Sequence, residues 1–95
     1  MIIGKVVGTV VSTQLSVNIP GAKFLLVDKT NQHGEKKGEY LVALDLVGAG
    51  NNELVFISES TSARETPLTI NKPIDAIIIG IIDAIDENET IVYSK

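Results

Sequence analysis

Apolar residues in this chain gather in short β-branched runs, parted by turns rich in Gly, Pro and Asn. Such runs read as strands, and nowhere is there the three-to-four-residue recurrence of an ordinary amphipathic helix. The first strand is predicted over residues 2–13, where Gly4 and Gly8 mark a bend, a bulge or a close backbone approach. Pro20-Gly21 is a turn, and residues 23–28 read as the second strand. The polar stretch 29–39, with Gly34 and Gly38, reads as a loop. Residues 40–46 are the third strand, and the loop Gly48-Ala49-Gly50-Asn51-Asn52 calls for positive φ or tight backbone approach. Residues 54–58 are the fourth strand, after which Ser60 or Thr61 is placed to cap a short helical turn. Past Lys72-Pro73, residues 74–85 form the fifth strand, and the polar turn at 86–89 lets 90–93 return as a hairpin arm.

Five evenly spaced strands, one short helix and a C-terminal β-hairpin define a mainly all-β fold, a small five-stranded OB-like barrel. It occupies residues 1–95 as one domain. A half-exposed strand alternates apolar and polar side chains, because neighbours point to opposite faces. The run Ala76-Ile77-Ile78-Ile79-Gly80-Ile81-Ile82 does not alternate, and Val6-Val7 and Val10-Val11 behave alike. One face fills the barrel, and little else in the chain is available to cover the other. Exposed apolar surface of that kind marks a partner surface, with Ile77, Ile79 and Ile81 as candidate contacts. The alternative is cover from the chain's own hairpin and helix.

Composition sharpens this. The chain is 44% hydrophobic but 4% aromatic, so its apolar content is branched aliphatic and suited to buried strands. A domain of this length buries roughly 60–65% of its unfolded surface and is marginal alone. A net charge of −4 with eight scattered basic residues argues against nucleic acid, which needs clustered Lys and Arg. Zero cysteines exclude disulfides and thiolate zinc sites. The N-terminal residues read straight into a strand without a charged leader, and no apolar run reaches the roughly 18 residues of a membrane span. A soluble, cytoplasmic protein with no membrane partner is the expectation.

Four segments in order together resemble the EutN/CcmL family, the vertex proteins of bacterial microcompartment shells. They are Gly4-Lys5-Val6-Val7-Gly8-Thr9-Val10-Val11-Ser12-Thr13, Ala43-Leu44-Asp45-Leu46-Val47-Gly48-Ala49-Gly50, Ser62-Ala63-Arg64, and the run from Pro73 through Asp83. The resemblance implies a non-enzymatic barrel subunit without cofactor, assembled as a cyclic homopentamer that closes shell corners beside hexameric shell proteins. It also implies that the Gly48-Ala49-Gly50 loop and Ser62-Ala63-Arg64 lie near subunit contacts or a pore. The chain departs from the family pattern at Gln14, where a basic residue is usual, and at Asn52 and Ser60, where Gly is usual. Asn tolerates left-handed backbone, so Asn52 is able to preserve the turn.

Catalytic and metal chemistry find little footing. His33 is the single histidine, in a polar loop without neighbours at ligand or general-base spacing. Asp45, Glu53, Asp75 and Asp83 occur singly, unlike the dense ligand loop of a calcium site, and read as strand-end caps. Ser60, Thr61 and Ser62 lack the Gly-x-Ser-x-Gly frame of a nucleophile elbow, and Gly48-Ala49-Gly50 lacks the Gly-Lys-Ser/Thr of a phosphate loop. No catalytic, cofactor or metal residue is assigned. Arg64 is the charge singled out, as a guanidinium suited to pairing with an acid or carbonyl on its own or an adjacent subunit. The competing functions are an OB-type binding module for single strands, which wants stacking aromatics and a basic groove, and a non-catalytic ligand-binding subunit.

Overall fold

A computed structural model describes residues 2–11, 21–59 and 76–95. The described elements are all strands: β1 (Ile2–Val10), β2 (Phe24–Thr30), β3 (Lys36–Asp45), β4 (Leu54–Glu59), β5 (Ala76–Ile81), β6 (Ala84–Glu87) and β7 (Thr90–Ser94). The first five close into a barrel in the order β1-β2-β3-β5-β4. Every neighbouring pair is antiparallel except β3–β5, whose parallel seam pairs Leu44 with Ile77 and Asp45 with Ile78. This is the OB-like barrel that the strand pattern predicts. The helical turn expected after β4 falls at residues 60–65, outside the described residues.

Inside the barrel, Val6, Leu25, Val27, Ala43, Val55, Ile57, Ala76 and Ile78 form one buried cluster, closed at one side by Ala49. Aliphatic side chains from all five strands therefore meet on the inner face, each buried Val, Leu or Ile contributing roughly 1.5–3 kcal/mol by leaving water. Closure needs kinks, and β-bulges supply them. In β1 the register passes from Val6↔Val27 to Gly8↔Leu26, leaving Val7 as the extra residue. Gly4 meets the expectation of close approach, since a Cβ there would run into Val27 Cγ1 and stand 3.1 Å from the Asp28 carbonyl oxygen.

The run that lacks alternation is explained by another bulge. Ile57 pairs with Ile78 but Phe56 pairs with Gly80, so Ile79 is extra. The bulge resets the facing: Ile78 points inward before it, and Ile81 packs on the same inner cluster after it. Ile81 therefore does not share the outer face of Ile79, and Ile77, which does lie on the outer side, is covered there by Leu44 and its neighbours.

Beside shifts of a residue at strand ends and β1 stopping at Val10, two predicted stretches change. The fifth strand, expected as unbroken from 74 to 85, splits into β5 and β6 around Ile82 and Asp83, where the Ile82 amide still donates to the Leu54 carbonyl. The loop expected over 29–39 is mostly strand, because β2 runs to Thr30 and β3 begins at Lys36. Only the tight turn between them is irregular. There Asn31 Oδ1 accepts the His33 and Glu35 amides at 2.9 and 3.1 Å, an Asx turn. The buried Asp28 carboxylate accepts the Gly38 and Glu39 amides at 2.9 and 3.2 Å, pinning a bulge where Gly38 has φ +75°.

The hairpin β6–β7 is present as expected, joined at Asn88 and Glu89, both at positive φ. That geometry matches the twist of the flanking strands.

Candidate subunit interface

The loop after β3 is organised by two carboxylates. Asp45 Oδ1 accepts the amides of Val47, Gly48 and Ala49 at 3.0, 3.0 and 3.3 Å. Gly48 takes φ +75° in open space. Glu53 Oε1 accepts the Gly50 amide, and Asn52, at φ 68°, donates its amide to the Val6 carbonyl at 2.8 Å. The turn thus folds back on β1 and drops Ala49 into the core. Gly48 and Gly50 stay exposed while Ala49 is buried. Asn52 does occupy left-handed backbone where the family pattern has glycine.

Glu53 also ties down the chain's last described residue, since Lys95 Nζ donates to Glu53 Oε2 at 2.7 Å. That hydrogen bond, then the Gly50 amide, holds the Glu53 carboxyl below the ordinary carboxylate value. The same hydrogen bond holds the Lys95 ammonium above its ordinary value. The hairpin is seated a second time where a Cβ on Gly34 would come within 2.8 Å of the Tyr93 ring, and a third time by Gln32 Nε2 donating to Glu87 Oε1 at 2.9 Å.

Among the described residues no three His, Cys, Asp or Glu side chains gather as a metal site. His33 is exposed. Asp45 and Glu53, weighed above as cation ligands, are occupied with backbone amides and a lysine; Asp83 is exposed, near Lys95 at 3.8 Å. Asp75, Ser62, Ala63 and Arg64 lie outside the described residues.

What remains is the outer surface. Of the three fifth-strand isoleucines singled out from sequence, Ile77 is 1% exposed, packed with Leu44 and flanked by Ala22, Phe24 and Leu46 outside the β3–β5 seam. Ile81 is half-buried against the inner core, and Ile79 alone of the three is substantially open, at 41%. Beside it Phe56 is 40% exposed. On β3, Tyr40 and Val42 are 62% and 48% exposed. Sequence reasoning missed Phe56, Tyr40 and Val42. Their signal was available, since Leu54-Val55-Phe56-Ile57 is as uniformly apolar as the fifth strand.

A closed five-stranded barrel with open apolar flanks, Asp45 and Glu53 committed to its loop, defines the class of small OB-like β-barrel domains. The comparisons agree. A family profile described as "Ethanolamine utilisation protein EutN/carboxysome" matches residues 1–83. The carboxysome shell vertex protein CcmL of Gloeobacter violaceus is 42% identical over 95 residues, covering 100% of this chain and 95% of that protein. Its solved structure superposes with a TM-score of 0.93, covering 100% and 98% of the two chains. A pentameric microcompartment shell protein from Rhodospirillum rubrum, GrpN, superposes with a TM-score of 0.77 at 39% identity, covering 92% and 98%. The chain belongs to the EutN/CcmL family of microcompartment shell vertex proteins.

Proposed function

We propose that the chain is a non-enzymatic structural subunit that forms a cyclic homopentamer and caps the vertices of a bacterial microcompartment shell in the cytoplasm. The reasoning is geometric. Hexagonal tiles make flat sheets, and a sheet closes into a polyhedral shell only where five-fold units occupy its corners. The hexameric tiles of the same shell are then its neighbours. Its work is to hold shape, which requires a rigid barrel and complementary edges and no reacting group.

The observation that carries the reading is whole-length likeness to CcmL, 42% identical with a TM-score of 0.93. The exposed Tyr40, Val42, Phe56 and Ile79 on so small a barrel support it independently, because each is worth more buried than wet. A place for Gly48, Ala49, Gly50, Ser62, Ala63 and Arg64 near the subunit contacts or a pore rests on the family resemblance. Light scattering coupled to size exclusion tests the proposal. The expected mass is five times the 10.2 kDa of one chain; a monomer at high concentration would refute it.

A further inference from the structure

The open apolar residues of the barrel fall into two separate sets. On β3, Tyr40 and Val42 lie two apart and so share a face, and Val42 stands opposite Leu26 of β2. This stripe continues along the same outer face to Leu44 and Phe24, where Ile77 and Leu46 of the same chain cover it. One end of the stripe is sheltered within the subunit, and the Tyr40 end is bare. The second set crosses three strands. Ile3 stands opposite Phe56, and Phe56 stands opposite Gly80. The Phe56 ring lies over Gly80, with Cδ2 at 3.3 Å from where a Cβ would stand, and the bulge lifts Ile79 beside it.

Barrel order places the sets apart. The first spans β2 and β3, the second β1, β4 and β5. On one side the covered Leu44–Ile77 seam separates them, and on the other the register pair Lys5↔Asp28. Among the described residues the other exposed large apolar side chains, Val11, Val47 and Ile91, have no exposed apolar cross-strand partner, and scattered single residues of that kind are ordinary.

We infer that the ring contact is heterologous, with the Tyr40–Val42 flank of one copy packing on the Phe56–Ile79 flank of the next. This rests on the pentameric reading above and specifies its surfaces. A self-complementary twofold contact pairs subunits evenly, so a closed ring of five is not built from such contacts alone. It needs one contact between two unlike patches, repeated by rotation until it closes. Among the described residues each chain carries one such pair of patches. Each also has a rigid aromatic among its aliphatics, the residue type that anchors interface centres.

The test uses Val42→Asp and Phe56→Asp, with Tyr40→Glu and Ile79→Asp as second variants on each flank should either first variant fail to fold by circular dichroism. Native mass spectrometry and light scattering give the masses. The wild-type chain is expected as a ring and each variant alone as a monomer, a fivefold loss of mass. A one-to-one mixture of a β3-flank variant with a β4/β5-flank variant retains one good contact, so it is expected to give a dimer of one copy of each and nothing larger. A ring formed by either folded variant, or a mixture that stays monomeric at the highest soluble concentration, overturns the assignment while leaving the pentamer intact. A monomeric wild-type chain overturns the pentameric reading itself, and this assignment with it.

Discussion

At Gly4 strand β2 comes so near that a Cβ would collide with Val27 Cγ1 and stand 3.1 Å from the Asp28 carbonyl oxygen. The second contact is backbone, which a side-chain rotation cannot relieve. Gly8, four residues on in the same strand, would place its Cβ no closer than 3.9 Å to Leu26, an ordinary van der Waals contact. The two glycines looked equivalent in the sequence, both flagged as bends, bulges or close approaches. Which applied to which depended on the facing strand, invisible until the register was known. Gly4→Ala is expected to lower the unfolding free energy by about 1–3 kcal/mol, in line with overpacking elsewhere. Gly8→Ala should stay within about 0.5 kcal/mol of wild type. Urea denaturation of both variants checks this, and equal midpoints would contradict it.

Among elements, the hairpin β6–β7 shows how much a pattern discloses and where it stops. Its return arm was legible from Thr90-Ile91-Val92-Tyr93 after a polar turn. Its separation from β5 was not, because Ile82 is buried like a strand residue and only Asp83 breaks the apolar run. The last two residues of β2 and the first four of β3 read as loop for a related reason. Polarity reports exposure, and the Asx turn at Asn31 and the Asp28-pinned bulge keep polar residues paired as strand. Likewise the fifth strand's double-sided apolarity came partly from the bulge at Ile79, which periodicity cannot register. A two-stranded hairpin is marginal alone, so its seating on the barrel matters, and that seating is partly ionic. Glu53, with its carboxyl pulled down first by the Lys95 hydrogen bond, contributes to the tie above the ordinary carboxylate value of ~4.3 and loses it as pH falls through the lowered one. Lys95, pulled up by Glu53, contributes below the ordinary lysine value of ~10.4 and loses it as pH rises through the raised one. The NMR shift of the Gly50 amide, which donates to the Glu53 carboxylate, should therefore be flat between about pH 5 and 9 and move outside it; a transition near neutrality would contradict the assignment. Lys95→Ala should move that acid-side transition to higher pH, because the largest cause of the lowering is gone.

For the whole molecule the question is what force holds one copy to the next, and two candidates respond oppositely to salt. Each chain carries a net charge of −4, so bringing copies together costs electrostatic work over distances comparable to the ~10 Å Debye length at 0.1 M salt. The two flanks argued above are apolar, and burial of such surface is not screened by salt. If that contact dominates, salt removes the repulsion and leaves the attraction. Raising NaCl from about 0.05 to 1 M shortens the screening length several-fold, and the ring should become more resistant to dilution. If surface ion pairs dominated instead, the same change would weaken them and the ring would come apart sooner. A dilution series of the wild-type chain at low and high salt, with assembled mass read by light scattering, separates the cases. Assembly that tightens with salt is the expected outcome, and assembly that loosens would locate the holding force in charges rather than in Tyr40, Val42, Phe56 and Ile79.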